Sequence, residues 1–193
     1  RAALAAHATA PARKRPSALA IEADVATLQL LCSAQDAAAE AAWEAFIAQI
    51  VRSSEDGGRL FTTGIGKAAV VAKRLAVSLT SVGVPAEWVH GTEWVHGDLG
   101  AARAGDAVIA VSHSGKTAEL LQLAPHLQAR DVALLAIVSD ATSPLGAASA
   151  AALEARVPSA DSGHGELLGS VPSRSIVAQE AICNGIVAEM VAA

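Results

Sequence analysis

Apolar runs with the length of β-strands alternate with helical patterns along this chain, and that alternation restricts its fold more than any other feature. The two clearest runs, "DAVIAVS" (106–112) and "ALLAIVSD" (133–140), are apolar at nearly every position, which is typical of strands covered on both faces. Shorter strands are predicted in "RLFTTG" (59–64), "AEWVH" (86–90) and "ALEARV" (152–157). The alternation predicts a three-layer αβα sandwich around a mostly parallel sheet of roughly five strands.

Helical periodicity fills the segments between these strands. Residues 19–51 are predicted to form one long or once-broken helical segment, in which large apolar side chains recur at helical spacing. Further helices are predicted over 67–83, 117–129, 143–150 and 175–190. The sequence contains no internal repeat, so residues 18–193 are expected to form a single domain after a flexible segment, 1–17.

Composition and charge exclude several classes of function. The net charge of −5 argues against a nucleic-acid surface, which needs a basic stripe. No apolar run approaches the roughly 18 residues of a membrane span, and the expected location is the cytoplasm. Cys32 and Cys183 lack ligand spacing and are predicted to be buried free thiols. The six histidines are scattered, so no metal or other cofactor is expected.

The turn after the first predicted strand carries two glycines followed by a lysine. In "TTGIGKAA", Gly64 and Gly66 allow close approach to the backbone, and Lys67 opens the next helix. This turn is not a dinucleotide fingerprint, because Ala69 stands where the third glycine is required. Its spacing also excludes the phosphate loop of nucleotide-binding proteins. Ordinary turn glycines explain the pattern equally well.

The stretch "VSHSGKTAEL" (111–120), after the third predicted strand, concentrates small polar groups at the start of a helix. Ser112, Ser114 and Thr117 supply hydroxyl groups, and Gly115 exposes backbone N–H groups next to the positive end of the helix. This combination suits a phosphate. The alternative is a capping box, in which one hydroxyl and an acid three residues later satisfy the helix start. Three hydroxyl groups are present, which favours the phosphate.

The pattern Ser-x-Ser-Gly-x-Thr-x-Glu, which ends at Glu119, resembles the motif of the SIS (sugar isomerase) domain family of phosphosugar isomerases and phosphosugar-binding regulators. Three other stretches, "TGIGK" (63–67), "HGDLG" (96–100) and "VPSRS" (171–175), resemble loops of the D-arabinose-5-phosphate isomerases within that family. The resemblance covers residues 25–191. It implies an SIS-type sandwich whose loops bind a phosphorylated sugar.

The resemblance implies the interconversion of D-arabinose 5-phosphate and D-ribulose 5-phosphate through an enediol. This proton transfer needs a base beside C1 and C2, an acid or cation near O1 and O2, and an anchor for the phosphate. These needs suggest Glu119 as the base, a role that the family motif supports, Lys67 as the cation, and His96 as a proton shuttle or ring opener. The proposed substrate-binding residues are Gly64, Gly66, Asp98, Ser112, Ser114, Gly115, Thr117, Ser173 and Ser175.

Each catalytic role has a structural alternative. By position alone, Glu119 is equally compatible with a carboxylate on a solvated helix face. Lys67 is compatible with a surface lysine, and His96 with a residue that only holds its loop. Two further functions also stay open: another phosphosugar isomerase, and a non-catalytic phosphosugar sensor that keeps the serine loop. An interaction domain whose serine loop is only a helix cap is a third.

Several positions depart from the isomerase pattern. Ala68 stands where the isomerases carry serine, and Arg174 replaces a small hydroxyl residue, where it would either contact the phosphate or fill the pocket. Segment 159–169 is longer than its counterpart and lacks a secure match for an expected glutamate, for which Glu166 and His164 are candidates. No counterpart is expected for a histidine that the family uses beyond the last helix, nor for its regulatory CBS domains.

The composition of the helical segment 19–51 indicates that several copies of the chain assemble. This segment carries Trp43 and Phe46 in a chain with only 3% aromatic residues, and one small α/β layer cannot cover every such face. The sites of the resembling isomerases also borrow residues from neighbouring subunits. A homo-oligomer is therefore expected, most simply a tetramer of dihedral symmetry.

Overall fold

The computed structural model describes residues 14–193, which form a five-stranded sheet between two layers of helices. The predicted three-layer sandwich is therefore confirmed. The elements of the described part follow in chain order: α1 (Pro16–Ser33), α2 (Ala37–Glu55), β1 (Leu60–Gly64), α3 (Lys67–Ser81), β2 (Ala86–His90), β3 (Ala107–Val111), α4 (Ala118–Gln128), β4 (Ala133–Val138), α5 (Pro144–Ala148), β5 (Ala151–Glu154) and α6 (Arg174–Ala192). Most of the predicted flexible segment 1–17 lies outside the described residues, and its last two positions fall in α1.

The sheet is parallel throughout, in the order β2-β1-β3-β4-β5. Gly64 at the end of β1 pairs with His90 of β2 and with Val111 of β3. These strands therefore end at the same level, and the loops that follow them share one edge of the sheet. The chain passes from β1 to β2 on one side and then places β3 on the other side. That reversal opens a crevice between the ends of β1 and β3, where open α/β sheets bind ligands.

Each face of the sheet carries its own hydrophobic core. Alternate residues of a strand point to opposite faces, and β3 places Ile109 and Val111 on one side and Val108 and Ala110 on the other. Helices α1, α2, α3 and α6 cover the first face, whereas α4 and α5 cover the second. Every residue of β3 is buried, which explains the near-continuous apolar run in the sequence.

The helical segment 19–51 is broken once, between α1 and α2. The side chain of Asp36 begins α2 by accepting a hydrogen bond from the Ala39 N–H at 2.9 Å. Phe46 is fully buried in the core of the first face, and Trp43 packs against the same core. Phe46 therefore needs no partner chain to cover it, whereas part of the Trp43 side chain stays exposed.

Two expectations from composition differ from the structure. Cys183 is buried as predicted, but Cys32 on α1 is exposed. By length and composition α6 could cross a membrane, although no such segment was expected, and α1 and α2 pass the same test only as a pair bent by 90°. Because α6 packs against α3 and α1, it serves as a core helix of the sandwich.

Candidate functional site

A cavity of about 260 Å³ lies in the crevice between the carboxyl ends of β1 and β3. Its walls come from the start of α3, the loop between β3 and α4, and the start of α6. Five of the residues proposed from the sequence line this cavity: Lys67, Ser112, Ser114, Thr117 and Ser175. The parallel topology thus brings together polar side chains that lie far apart in the sequence.

The loop between β3 and α4 leaves the start of α4 without a side-chain cap. Thr117 is the N-cap residue, yet its side chain makes no capping hydrogen bond. Its hydroxyl lies 2.8 Å from that of Ser112 instead. The Ser114 hydroxyl accepts a hydrogen bond from the Lys116 N–H at 3.2 Å. The capping box is therefore not formed, and the N–H groups of residues 118–120 have no partner in the described part of the chain.

This uncapped helix start has the chemistry of an anion site. Free N–H groups in the first turn and the positive end of the helix dipole attract negative charge. The hydroxyl groups of Ser112, Ser114 and Thr117 lie on the same loop, and Lys67 lines the cavity from α3. Together these groups can hold a phosphate.

Gly115 gives the loop its shape. Its φ is +61°, a conformation that residues with a side chain rarely adopt, and a Cβ atom there would collide with Ser143. The Gly115 N–H donates to the Ser112 carbonyl at 3.3 Å, and the Gly115 carbonyl accepts from the Leu145 N–H at 2.9 Å. Its own N–H group is thus engaged, which differs from the interpretation of the sequence.

The two glycines before α3 have different roles. A Cβ atom on Gly64 would lie 2.9 Å from the backbone of Ala68, so a side chain there would push α3 away from the strand. Gly66 is the N-cap residue of α3 with a φ of +62°, and a Cβ atom there would meet nothing within 4 Å. Lys67 follows in the first turn and is exposed at the cavity. A cation at the positive end of a helix is unfavourable for stability, which favours a functional role for Lys67.

Glu119 lies beside the cavity rather than in its wall. It is half-buried in the first turn of α4, where its charge interacts favourably with the helix dipole. Its carboxylate accepts no hydrogen bond from the residues that the structure describes, and it is not among the residues that line the cavity. The carboxylate is therefore free to engage a ligand at the start of α4.

The segment after β2 forms two short 3₁₀ turns within residues 93–101, which were not predicted from the sequence. Trp94 anchors this segment, because its ring is fully buried and its indole N–H donates to the Thr63 hydroxyl at 3.0 Å. His96 and Asp98 are exposed and do not line the cavity. Within one chain, therefore, the fold does not bring these two residues to the serine loop.

Glu166 caps the start of α6. Its carboxylate accepts hydrogen bonds from the Ser173 hydroxyl at 2.8 Å and from the N–H groups of Ser173, Arg174 and Ser175 at 2.6, 2.8 and 2.9 Å. Burial raises the pKa of Glu166, but the hydrogen bonds from Ser175 and Ser173 outweigh it and lower the pKa to about 2. A carboxylate that is ionised and fully engaged is a poor base near neutral pH. The contacts of Glu166 are thus those of a helix cap, which argues against Glu166 as the expected catalytic glutamate.

The neighbours of Glu166 also differ from the expectations. The Ser173 hydroxyl donates to Glu166 and accepts from the Leu167 N–H at 3.1 Å, and Ser173 does not line the cavity. Arg174 forms an ion pair with Asp24 of α1 at 2.9 Å. It therefore neither contacts the cavity nor fills it, and both roles suggested for it are wrong. His164 does not line the cavity either.

Two polar cavity residues were missed in the sequence. His113 occupies the variable position of the serine pattern, and its Nδ1 atom is buried without a partner in residues 14–193. Gln179 lies one helical turn after Ser175 and lines the same wall. The spacing of four residues could have identified Gln179, because residues one turn apart share a helix face. No comparable signal marks His113.

Other parts of the described structure offer weaker candidates. Among residues 14–193, no group of three His, Cys, Asp or Glu side chains is placed to hold a metal ion. A larger depression of about 550 Å³ lies at the amino ends of the strands beside Asp106. Asp106 is engaged there by the N–H groups of Arg59 and Arg103 at 2.7 and 2.9 Å. Since parallel sheets bind ligands at the carboxyl ends of their strands, the smaller cavity is the candidate site.

The class of protein is a parallel α/β sandwich with a polar cavity at its topological switch point. Residues 55–186, more than half of the chain, match the SIS domain family. The chain therefore belongs to the SIS domain family, as its motifs indicated.

This chain matches only part of the length of its curated relatives. Arabinose 5-phosphate isomerase GutQ of Escherichia coli K12 is 41% identical over 100 residues, which are 52% of this chain and 31% of that protein. GutQ of Salmonella typhi gives the same identity and coverage. The matched region thus spans less than a third of these relatives.

Solved structures share the fold over nearly the whole chain. The E. coli CFT073 protein c3406, solved in complex with A5P, has a TM-score of 0.78 at 26% identity and covers 91% of this chain and 88% of its own. The Vibrio vulnificus NanR protein, complexed with ManNAc-6P, has a TM-score of 0.77 at 20% identity and covers 93% of this chain and 63% of its own. The likeness to NanR shows the fold alone.

Proposed function

We propose that this chain is an aldose–ketose isomerase that interconverts D-arabinose 5-phosphate and D-ribulose 5-phosphate through an enediol, in the cytoplasm and without a cofactor. Membership of the SIS family, the partial match to GutQ and the likeness to c3406 support this proposal. Because the matched region spans less than a third of GutQ, the activity of that protein applies to this chain only as part of the proposal.

The observation that carries the proposal is the uncapped start of α4 in the cavity. In our scheme the substrate phosphate accepts hydrogen bonds from the N–H groups of residues 118–120 and from the hydroxyl groups of Ser112, Ser114 and Thr117. Anchoring the phosphate leaves the carbon chain to extend across the cavity toward α3 and α6, and it fixes the reacting carbons relative to the protein.

The proposed chemistry moves one proton between C1 and C2. Glu119 removes the proton from one carbon and returns it to the other, since its carboxylate is accessible and unengaged in the described structure. Lys67 stabilises the negative charge that develops on O1 and O2. His96 opens the sugar ring or shuttles the hydroxyl proton, because an imidazole ring carries both a donor and an acceptor nitrogen, and Asp98 orients it or binds hydroxyl groups.

We also propose a homotetramer, since one chain keeps His96 and Asp98 outside the cavity. Helix α1 carries an apolar stripe of Ile21, Val25 and Leu28, which are 63%, 47% and 42% exposed. Their spacing of four and three residues places them on one helix face, and burial of such a face between chains is favourable. Light scattering at micromolar concentration should show a tetramer, whereas a monomer alone would overturn this part of the proposal.

A phosphosugar sensor is the second candidate. The specific observation that favours it is the position of Glu119 and His96 outside the cavity wall, while the phosphate-binding groups are inside it. A sensor needs the serine loop but no base. The two candidates therefore differ in chemistry rather than in binding.

The deciding experiment is NMR of pentose and hexose phosphates with the protein in D₂O. The isomerase exchanges deuterium into C1 or C2 of its substrate, because abstraction and return of the proton pass through solvent-exchangeable groups. Unphosphorylated arabinose serves as the control and should show no exchange. Binding of a sugar phosphate without exchange into any sugar would favour the sensor.

A further inference from the structure

Helix α6 contributes two buried polar groups to the cavity. Ser175 and Gln179 are each 1% exposed, and both line the cavity. They are one helical turn apart, so their side chains lie on the same face of α6. Neither the Ser175 hydroxyl oxygen nor the Gln179 Oε1 atom has a hydrogen-bond partner among residues 14–193.

Among residues 14–193, the other buried hydroxyl groups find partners within the fold. Thr62 donates to the Ala72 carbonyl at 2.8 Å, and Thr27 donates to the Ala23 carbonyl at 2.9 Å. Buried polar groups are nearly always paired in this way, because an unpaired group has lost its bonds to water without replacement. The two unpaired groups on α6 differ from them in lining a cavity, which indicates that their partners come from a ligand.

The charges around the cavity show which part of a ligand faces α6. Positive groups lie on the opposite walls, at Lys67 and at the start of α4. On the α6 side, Arg174 is paired with Asp24, and the carboxylate of Glu166 is engaged by N–H groups. The α6 wall therefore presents only neutral groups to the cavity.

A carboxamide oxygen accepts a hydrogen bond, and a serine hydroxyl both donates and accepts. This pair is complementary to sugar hydroxyl groups, which also donate and accept. A second phosphate or a carboxylate would find no cation on this wall and would place its charge beside the unpaired Gln179 Oε1 atom.

We propose that Gln179 and Ser175 bind hydroxyl groups on the carbon chain of the phosphosugar, and that Gln179 is a specificity-determining residue for a neutral polyol chain. This inference rests on the proposed function, because it takes the phosphate to lie at the start of α4. It assigns the two ends of the ligand to different walls of the cavity, with the phosphate at α4 and the hydroxyl groups at α6.

Isothermal titration calorimetry with two ligands distinguishes the contributions of the α4 and α6 walls to binding. Arabinose 5-phosphate has both a phosphate and hydroxyl groups, whereas inorganic phosphate has only the anion. Gln179→Met preserves side-chain length but removes the amide, and Ser175→Ala removes the hydroxyl. Each substitution should weaken the binding of arabinose 5-phosphate about 3- to 10-fold, as expected for one neutral hydrogen bond. The affinity for inorganic phosphate should be unchanged. Gln122→Met on the exposed side of α4 is the matched control and should change neither affinity.

The outcomes distinguish this inference from the proposed function. If the unmodified protein binds neither ligand, the proposed function fails and the inference fails with it. If it binds arabinose 5-phosphate and both variants retain that affinity, only the inference is overturned. Equal losses for both ligands would also overturn it, because α6 would then support the anion site. Ser175→Ala decides the matter if thermal unfolding shows that Gln179→Met does not fold.

Discussion

Two helices, α4 and α6, begin at the same cavity, but they treat their first N–H groups in opposite ways. At α6 the Glu166 carboxylate accepts hydrogen bonds from three consecutive N–H groups, so the chain supplies its own anion. At α4 Thr117 makes no capping bond, and residues 118–120 have no partner for their N–H groups in the described structure. Both helix starts attract negative charge. We call the start of α6 closed, because Glu166 already occupies it, and the start of α4 open. The open start is therefore where we propose that the anion of a ligand binds.

The largest expected effect tests whether the open start of α4 also carries the chemistry. Glu119→Gln keeps the size of the side chain but cannot take and return a proton. A positioned general base supplies about 10²- to 10⁴-fold of rate, so turnover of arabinose 5-phosphate should fall by that factor with little change in affinity. Deuterium exchange into the substrate should fall in parallel.

The matched control for Glu119 is the same substitution at the closed helix start. Glu166→Gln should leave the deuterium exchange rate per folded molecule near normal, because the Glu166 carboxylate caps α6 and takes no part in the proposed proton transfer. Normal exchange in Glu119→Gln would place the base elsewhere, and a large loss in folded Glu166→Gln would contradict its structural role.

A smaller effect is expected for the serines of the two helix starts. Ser114→Ala removes a charge-assisted hydrogen bond of roughly 1.5–3 kcal/mol to the phosphate, which lowers phosphosugar affinity about 10- to 150-fold. Ser173→Ala should instead lower the melting temperature and leave affinity unchanged, because Ser173 bonds to Glu166. Calorimetric titration and thermal unfolding measure the two quantities. The comparison would be reversed if Ser114→Ala lowered only the melting temperature and Ser173→Ala lowered only the affinity.

Stability provides the next comparison between the helix starts. Glu166→Gln removes the charge that three N–H groups and a hydroxyl share, and should lower the free energy of unfolding by about 1–2 kcal/mol. Glu119→Gln loses only a dipole interaction of about 0.3–1 kcal/mol. Urea unfolding of both variants checks this order, and equal losses would show that α6 is no more dependent on its anion than α4.

The smallest effect is a pH dependence of the Glu166 cap. The pKa of Glu166 is lowered from 4.5 to about 2 in the folded protein, so the cap stabilises the fold fully above pH 4.5 and loses its effect as the pH falls toward 2. The loss is at most about 1.4 kcal/mol per pH unit, and solvent screening reduces it. The difference in unfolding free energy between the unmodified protein and Glu166→Gln should therefore shrink between pH 6 and pH 3. A difference that is constant over this range would contradict the ionised cap.

The sequence predicted the open helix start and missed the closed one for physical reasons. Ser112, Ser114 and Thr117 lie within one short loop, and alternation of strands and helices already fixed which edge of the sheet that loop occupies. Glu166 reaches residues seven to nine positions away through an irregular segment, where no periodicity predicts which N–H groups its carboxylate meets.

Other differences between the sequence predictions and the structure depend on which side chains the fold buries. Trp43 and Phe46 suggested a surface for a partner chain, but the packing of α2 against the sheet buries Phe46 fully and Trp43 in part. Similarly, Gln179 is an ordinary helical residue in the sequence, and its importance follows from an unpaired oxygen in a cavity. Local motifs thus indicate the anion site, whereas the neutral wall opposite depends on long-range packing.

In the proposed function the open start of α4 binds the phosphate, while the closed start of α6 does not. Backbone ¹H–¹⁵N NMR of the protein during titration with arabinose 5-phosphate tests it directly. The amide protons of residues 118–120 gain a charged acceptor and should shift the most, whereas those of Arg174 and Ser175, already bonded to Glu166, should shift little. Saturable binding with its largest amide shifts at 174 and 175, or with none at 118–120, would contradict the account.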